Sequence, residues 1–179
     1  AHPEGLLGDA RARWERETLA KAPDTPEAVE PSGFPVPAKG DAPGLSWIWT
    51  NPAGSGEFAW FRKTFPLSEI PTHAQLLVSC DNEAVIWVNG KEVGVNPDWR
   101  TPTVFDLRPF LVSGDNLIAV AGKDWVKGGA KAALLALAAF ADGKQTRYLG
   151  TDANWLASDK ERPGWKAPGE VDGFATASV

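Results

Sequence analysis

The sequence predicts an all-β protein, a two-layered antiparallel sandwich behind an N-terminal helix and a Pro-rich leader. Three observations predict it. From Leu45 onward, short apolar runs alternate with turn residues at the spacing of sandwich strands. Asn89-Gly90 stands between two alternating runs and supplies positive φ at low cost, a strong hairpin signal. Asp142-Gly143 does the same between an apolar run and the polar Gln145–Leu149 segment.

The elements follow in order. Leu45–Trp49 reads as a short strand, and the breaker-rich loop Asn51–Gly56 follows. Phe58–Phe65 carries aromatics on both parities, as a strand covered on both faces does, and Pro66–Pro71 turns the chain. In Gln75–Cys80 the residues Leu76, Val78 and Cys80 share a face, as do Ala84, Ile86 and Val88 in the next run. Lys91–Val95 returns from the Asn-Gly turn, and Thr101–Leu107 is a further strand. Arg108–Val112 reads as one helical turn, and Gly114-Asp115-Asn116 leads into a buried strand, Leu117–Gly122. Residues 130–141 (AKAALLALAAFA) favour helix by propensity. Their Gly-Gly and Asp-Gly brackets favour a strand, and strand is the reading adopted.

Before Leu45 the texture differs. Residues 5–21 are helix-permissive, with Leu7, Ala10, Trp14 and Thr18 near one face. Residues 22–44 contain Pro23, Pro26, Pro31, Pro35, Pro37 and Pro43, too many for a helix or a ladder, and read as a linker. The division is therefore a leader, 1–44, and a sandwich, 45–179. The helix either belongs to a preceding domain or packs on the sandwich.

Composition removes several function classes. The net charge is −5 and no Lys/Arg run stands out, so the electrostatic footprint of a nucleic-acid binder is missing. An acidic chain gains nothing from anionic membranes, and no apolar run approaches the roughly 20 residues of a membrane span. The single cysteine, Cys80, excludes an internal disulfide and a multi-Cys zinc site, and reads as a buried structural thiol. The chain begins AHPEG without a signal peptide, and reads as a piece of a larger protein. No nucleophile elbow, HExxH or P-loop occurs, and the two histidines, His2 and His73, lie at the start and in a Pro-flanked turn. The expectation is a non-catalytic module.

Nine Trp against one Tyr leaves two readings, a Trp-rich core or Trp platforms for a ligand. Strand alternation sorts the connections by end. One end collects 51–57, Asp81–Glu83, Asn96–Arg100, 123–130 and the turn after Gly150, and the other carries tight-turn residues. Sugar binding needs a flat apolar face and planar polar groups for the hydroxyls. Trp99 or Trp125 supplies such a face, and Asn82, Arg100, Lys123 and Asp124 supply hydrogen bonds. These six are the candidate ligand residues, while Trp47, Trp49, Trp60, Trp87 and Trp155 read as packing. Asp81-Asn82 also fits a structural role, capping the turn between strands.

The motif order resembles a known family. Phe61-Arg62-Lys63-Thr64-Phe65, Val78-Ser79-Cys80-Asp81-Asn82, Val88-Asn89-Gly90-Lys91, Phe105-Asp106-Leu107, Gly114–Val120 and Thr151–Trp155 resemble the galactose-binding-like jelly-roll domains of bacterial glycosidases. The likeness is greatest to the N-terminal accessory domains of α-L-rhamnosidases, and it covers residues 45–179. The resemblance implies a carbohydrate-binding accessory module of a larger secreted bacterial protein, extracellular or periplasmic, with its ligand on end loops. It implies that catalytic acids lie in a separate domain. It also implies a possible structural calcium, for which the Asp- and Asn-rich loop end offers oxygen donors, though no EF-hand spacing is present. The alternatives are a structural or protein-interaction domain without ligand, and a fragment of a glycoside hydrolase.

Overall fold

The computed structural model describes residues 33–38, 43–50, 58–124, 133–143 and 145–179. Residues 1–32, 39–42, 51–57, 125–132 and 144 lie outside the described residues, and the expected N-terminal helix falls among them. Ten strands follow in chain order: β1 Phe58–Leu67, β2 His73–Asp81, β3 Glu83–Val88, β4 Lys91–Asn96, β5 Thr103–Asp106, β6 Gly114–Lys123, β7 Ala133–Asp142, β8 Gln145–Gly150, β9 Leu156–Ser158 and β10 Ala175–Thr176. A 3-10 turn, Arg108–Phe110, stands where one helical turn was expected. The strands form a six-stranded sheet, β10-β9-β1-β6-β3-β4, and a four-stranded sheet, β5-β2-β7-β8. Every pairing is antiparallel.

Between the sheets lies a core built from alternate residues. Phe61 and Phe65 of β1, Leu76, Val78 and Cys80 of β2, Ile86 and Val88 of β3, and Ile118 and Val120 of β6 all enter it. The Asn-Gly turn is as expected, with Asn89 at φ 51° and Gly90 at φ 82°, the positive pair that matches strand twist. Residues 133–142 form a strand because β7 pairs with β2 on one side and β8 on the other. Leu134, Ala136, Ala138 and Phe140 fill the core while Leu137 and Ala139 face outward, so tertiary packing overrides helix propensity.

Two differences from expectation matter. β1 runs through Pro66 to Leu67, so the turn begins later than Pro66. Leu45–Trp49 is no regular strand; it is an extended segment tied by single bridges, Ile48 to Leu134 and Trp49 to Ser178.

Both outer faces of the sandwich carry cover. On the four-stranded sheet, Phe34 buries itself against Leu137 and Ala139, with Leu77, Val104 and Tyr148 packed around them. On the six-stranded sheet, Trp60, Val85, Trp87, Val95 and Trp165 form a second apolar cluster. Trp165 meets Trp87 edge to face at 5.2 Å. Arg62, on the same face as Trp60, ties the tail between β9 and β10, residues 159–174, over this cluster. Its Nε donates to Trp165 O at 2.8 Å, and its Nη2 to Ala167 O at 2.8 Å and Gly169 O at 2.7 Å. Phe174 lies against the guanidinium at 5.6 Å.

Removing this anchor strands three carbonyls and frees the tail. Arg62→Ala is expected to lower the unfolding free energy by about 3 kcal/mol in a urea titration, since bonds from a charged donor are the stronger ones. Unaltered stability with unaltered Trp165 fluorescence would contradict this anchoring role.

Candidate functional site

Of the expected loop end, the Asp81–Glu83 corner and the Asn96–Arg100 loop are described, while 51–57 and 125–130 lie outside the described residues. The register places Phe58 and Glu83 beside Lys123, and Asp81 beside Ala133, so the start of β1, the β2–β3 corner, the end of β6 and the start of β7 share one end. Asn96 at the end of β4 joins them through β3, where it pairs with Ala84.

Asn96 organises this rim. It is fully buried, and its two amide atoms reach the other sheet. Its Oδ1 accepts the Cys80 backbone N–H at 2.9 Å. Its Nδ2 donates to Asp98 O at 3.3 Å, Thr101 O at 3.1 Å and Thr103 Oγ1 at 3.0 Å. The loop 97–102 is thereby fixed at both ends. A turn closes it, with Thr101 N–H donating to Asp98 O. Ser79 Oγ donates to Trp99 O at 2.8 Å and draws the loop onto β2.

On this loop Trp99 is 45% exposed. Beside it Arg100 grips Asp98 with two side-chain nitrogens, Nη2 reaching Oδ2 at 2.6 Å. Hydrogen bonds from the Arg100 side chain and N–H hold the Asp98 carboxyl below the usual carboxylate range. Arg100 keeps most of its surface open to solvent despite this pairing.

The β2–β3 corner is the electrostatic centre. The Asp81–Asn82 peptide is cis, Asn82 N–H donates to Lys123 O at 2.7 Å, and Asn82 Nδ2 donates to Asp81 Oδ1 at 2.7 Å. Burial, then repulsion from Asp124 and Asp98, pushes the Asp81 carboxyl up. Asp81 thus feels the charges of Asp124 and Asp98 across this corner. Below it, burial and the Asp81 charge push the Cys80 thiol far above its ordinary range, an inert structural thiol as expected.

The six predicted ligand residues divide. Asn82, Trp99, Arg100 and Asp124 belong to the rim, with Asp124 buried and the other three accessible. Lys123 stands at the same end but on the outer side of the six-stranded sheet. Its ammonium lies over the Phe58 ring at 5.3 Å, and Phe58 packs with the outer cluster of the six-stranded sheet. Strand alternation is the reason: Lys123 and the core-facing side of β6 point opposite ways. Trp125 lies outside the described residues. Trp49, Trp60, Trp87 and Trp155 are buried as expected, but Trp47 is 44% exposed and corrects the expectation of packing.

Sequence reasoning named Asn96 as a rim residue and missed its organising role. The signal available was a lone amide closing an apolar strand, Val93–Asn96, a position where a buried polar side chain must find partners. The opposite end also holds more than tight turns. Thr72, His73, Asp106 and Arg108 line a cleft of about 450 Å³ there. A second cleft, about 630 Å³, lies between β1 and the tail near Leu156 and Glu170. Among the described residues no group of three or more His, Cys, Asp or Glu side chains converges to hold a metal ion, and no helix is long and apolar enough to cross a membrane.

Residues 51–132 match the model of the glycosyl hydrolases family 2, sugar binding domain. The solved α-L-rhamnosidase of Streptomyces avermitilis, complexed with L-rhamnose, superimposes with a TM-score of 0.69 at 29% identity. This is a galactose-binding-like sandwich. That superposition covers 78% of the sandwich chain and 15% of the rhamnosidase. By sequence the α-L-rhamnosidase of that organism is 34% identical over 149 residues, 76% of this chain and 14% of the relative. The galactose-binding-like sandwich thus spans about one seventh of that relative's length. A lectin from Pleurotus ostreatus, in complex with GalNAc, is also similar, with a TM-score of 0.65 at 26% identity over 76% of this chain and 41% of the lectin.

The raised Asp81 carboxyl gives a pH signature with a definite sign. A carboxyl whose folded pKa is raised weakens the fold when ionised, and this cost disappears as pH falls through the raised value. In metal-free buffer Asp81→Asn is expected to raise the melting temperature at pH 7. The gain should shrink as pH falls into the carboxylate range. A variant less stable at pH 7, or a gain that grows on acidification, would contradict the electrostatics of the corner.

Proposed function

We propose that this galactose-binding-like sandwich is a non-catalytic carbohydrate-binding module of a larger secreted bacterial glycoside hydrolase, acting outside the cytoplasm. The observation that carries it is Trp99, a half-exposed indole on a loop whose main chain Ser79 and Asn96 tie beside the Asp81 corner. A loop whose backbone is already fixed in the free protein loses less entropy when a sugar stacks on the indole it carries. Asp81, Asn82 and the open side of Arg100 lie within the same rim and offer acceptors and donors for hydroxyls. Trp125 and Asp124, adjacent in sequence, are assigned to the same site. The similar rhamnosidase and lectin structures hold L-rhamnose and GalNAc, which supports a sugar as the ligand class.

Calcium is part of this reading. Among the described residues no three carboxylates converge at the corner, so an ion there would take the Asp81 carboxylate alone and complete its oxygen shell with backbone carbonyls and water. A bound ion there would neutralise the corner and orient its oxygens toward a ligand.

One observation favours a second reading. Arg100 is paired within its own loop, as in a rim that serves only to connect strands, and a spacer between domains would have such a rim. A glycan array separates the two. The module should be retained on at least one glycan, retention should fall at least tenfold with Trp99→Ala, a value in line with a central aromatic anchor, and EDTA should weaken it reversibly with calcium. Absence of retention on every glycan would leave the spacer reading standing, and indifference to EDTA would remove calcium alone.

A further inference from the structure

Trp47 stands outside the part of the chain that matches the sugar-binding family, residues 51–132, and sequence reasoning assigned it to packing. It is nevertheless 44% exposed, nearly the same as Trp99. The backbone on either side of it is tied down. Ser46 N–H donates to Thr151 O at 2.8 Å, and Thr151 Oγ1 returns a bond to Ser46 O at 2.7 Å. On its other side Ile48 exchanges two bonds with Leu134, both 2.9 Å, and Trp49 is bridged to Ser178. The bonds seat Ile48 and Trp49 in the core and leave Trp47 between them on the outside.

Register shows where Trp47 stands. Ile48 opposes Leu134, so the antiparallel continuation sets Trp47 opposite Leu135. In turn Leu135 opposes Ser79 of β2, whose hydroxyl holds the Trp99 carbonyl. Leu134 and Cys80 of the neighbouring row point into the core, so this row points outward. Trp47, Leu135, Ser79 and the Trp99 loop therefore form one line across the outer side of the four-stranded sheet at the loop end. Two strand spacings separate Trp47 from Ser79, about 10 Å. That is more than one sugar ring spans. The turn Asp152–Asn154 follows Thr151 directly, with the Asp152 carboxylate held by Asn154 and by Lys63 at 3.7 Å. Burial pushes that carboxyl up, but bonds from Asn154 and the Lys63 charge outweigh it and keep it below the usual range, ionised and ready to accept hydroxyls.

We propose that Trp47 is a second stacking platform, and that Trp47, Leu135 and Trp99 form a cross-strand strip for a glycan chain of at least two sugar units. The proposal rests on the carbohydrate reading of the rim and extends it from a single sugar to a chain. A glycan is the occupant taken, since the row from Trp47 to Ser79 crosses about 10 Å of sheet, the span of more than one sugar ring.

The test uses mono-, di- and trisaccharide series of L-rhamnose, galactose and GalNAc, with affinities measured by titration calorimetry for the wild type, Trp47→Ala, Trp47→Phe and Trp99→Ala. The wild type should gain affinity from monosaccharide to trisaccharide in one series. Trp47→Ala should lose roughly three- to tenfold on the trisaccharide, the range of one aromatic contact, with the monosaccharide unchanged. Trp47→Phe should restore most of the loss, and the melting temperatures should coincide. Equal affinity of Trp47→Ala and wild type for every chain length, or no gain with length in any series, overturns the strip while leaving a monosaccharide site at Trp99 intact. No binding by the wild type to any of these sugars overturns both.

Discussion

The buried amide of Asn96 is the constraint on which the rim depends. It closes β4 of the six-stranded sheet, yet its partners, Cys80 N–H, Thr101 O and Thr103 Oγ1, belong to the four-stranded sheet or to the loop leading into it. A buried amide left unpaired costs about as much as several ordinary hydrogen bonds contribute, so the two sheets are locked in register at this corner. The Asp81–Asn82 turn, one residue from Cys80, and the Trp99 loop, three residues from Asn96, both inherit their positions from it. Apolar packing between the sheets is non-directional and holds the layers together without fixing this corner.

Around that lock, the sandwich spends its aromatic residues in two ways. Trp49, Trp155 and Phe61 fill the space between sheets, and Trp60, Trp87 and Trp165 seal the outer face of the larger one under the tail. Arg62 holds that tail with carbonyls alone, an arrangement suited to a planar donor fork. Phe34 performs the corresponding service on the smaller sheet. With both faces covered, the indoles left in contact with solvent among the described residues, Trp47 and Trp99, stand at one end. Cover and open indoles are thereby segregated: the faces are packed, while Trp47 and Trp99 keep their indoles in contact with solvent.

Much of the fold was legible because its signals are local. Alternation in Gln75–Cys80 and Ala84–Val88, the Asn89-Gly90 turn and the Asp-Gly bracket of β7 each encode their own geometry. The sorting of connections by end was legible too, since it follows from strand alternation alone. What stayed hidden depends on partners distant in sequence. Arg62 finds its acceptors more than a hundred residues away, and nothing near it announces them. Lys123 and Asp124 are neighbours that the strand splits between two environments, which proximity in sequence conceals. Trp47 looked like a strand residue among apolar neighbours; its exposure follows from single bridges that no propensity encodes.

Asn96→Ala examined by amide hydrogen exchange tests this dependence most directly. The Cys80 N–H, held by the side-chain oxygen of Asn96, should lose its protection together with residues 97–102, while Val120 and Ile86 in the central strands keep theirs. If Cys80 and the loop remain as protected as in the wild type, the corner is held by packing and the amide is not its lock.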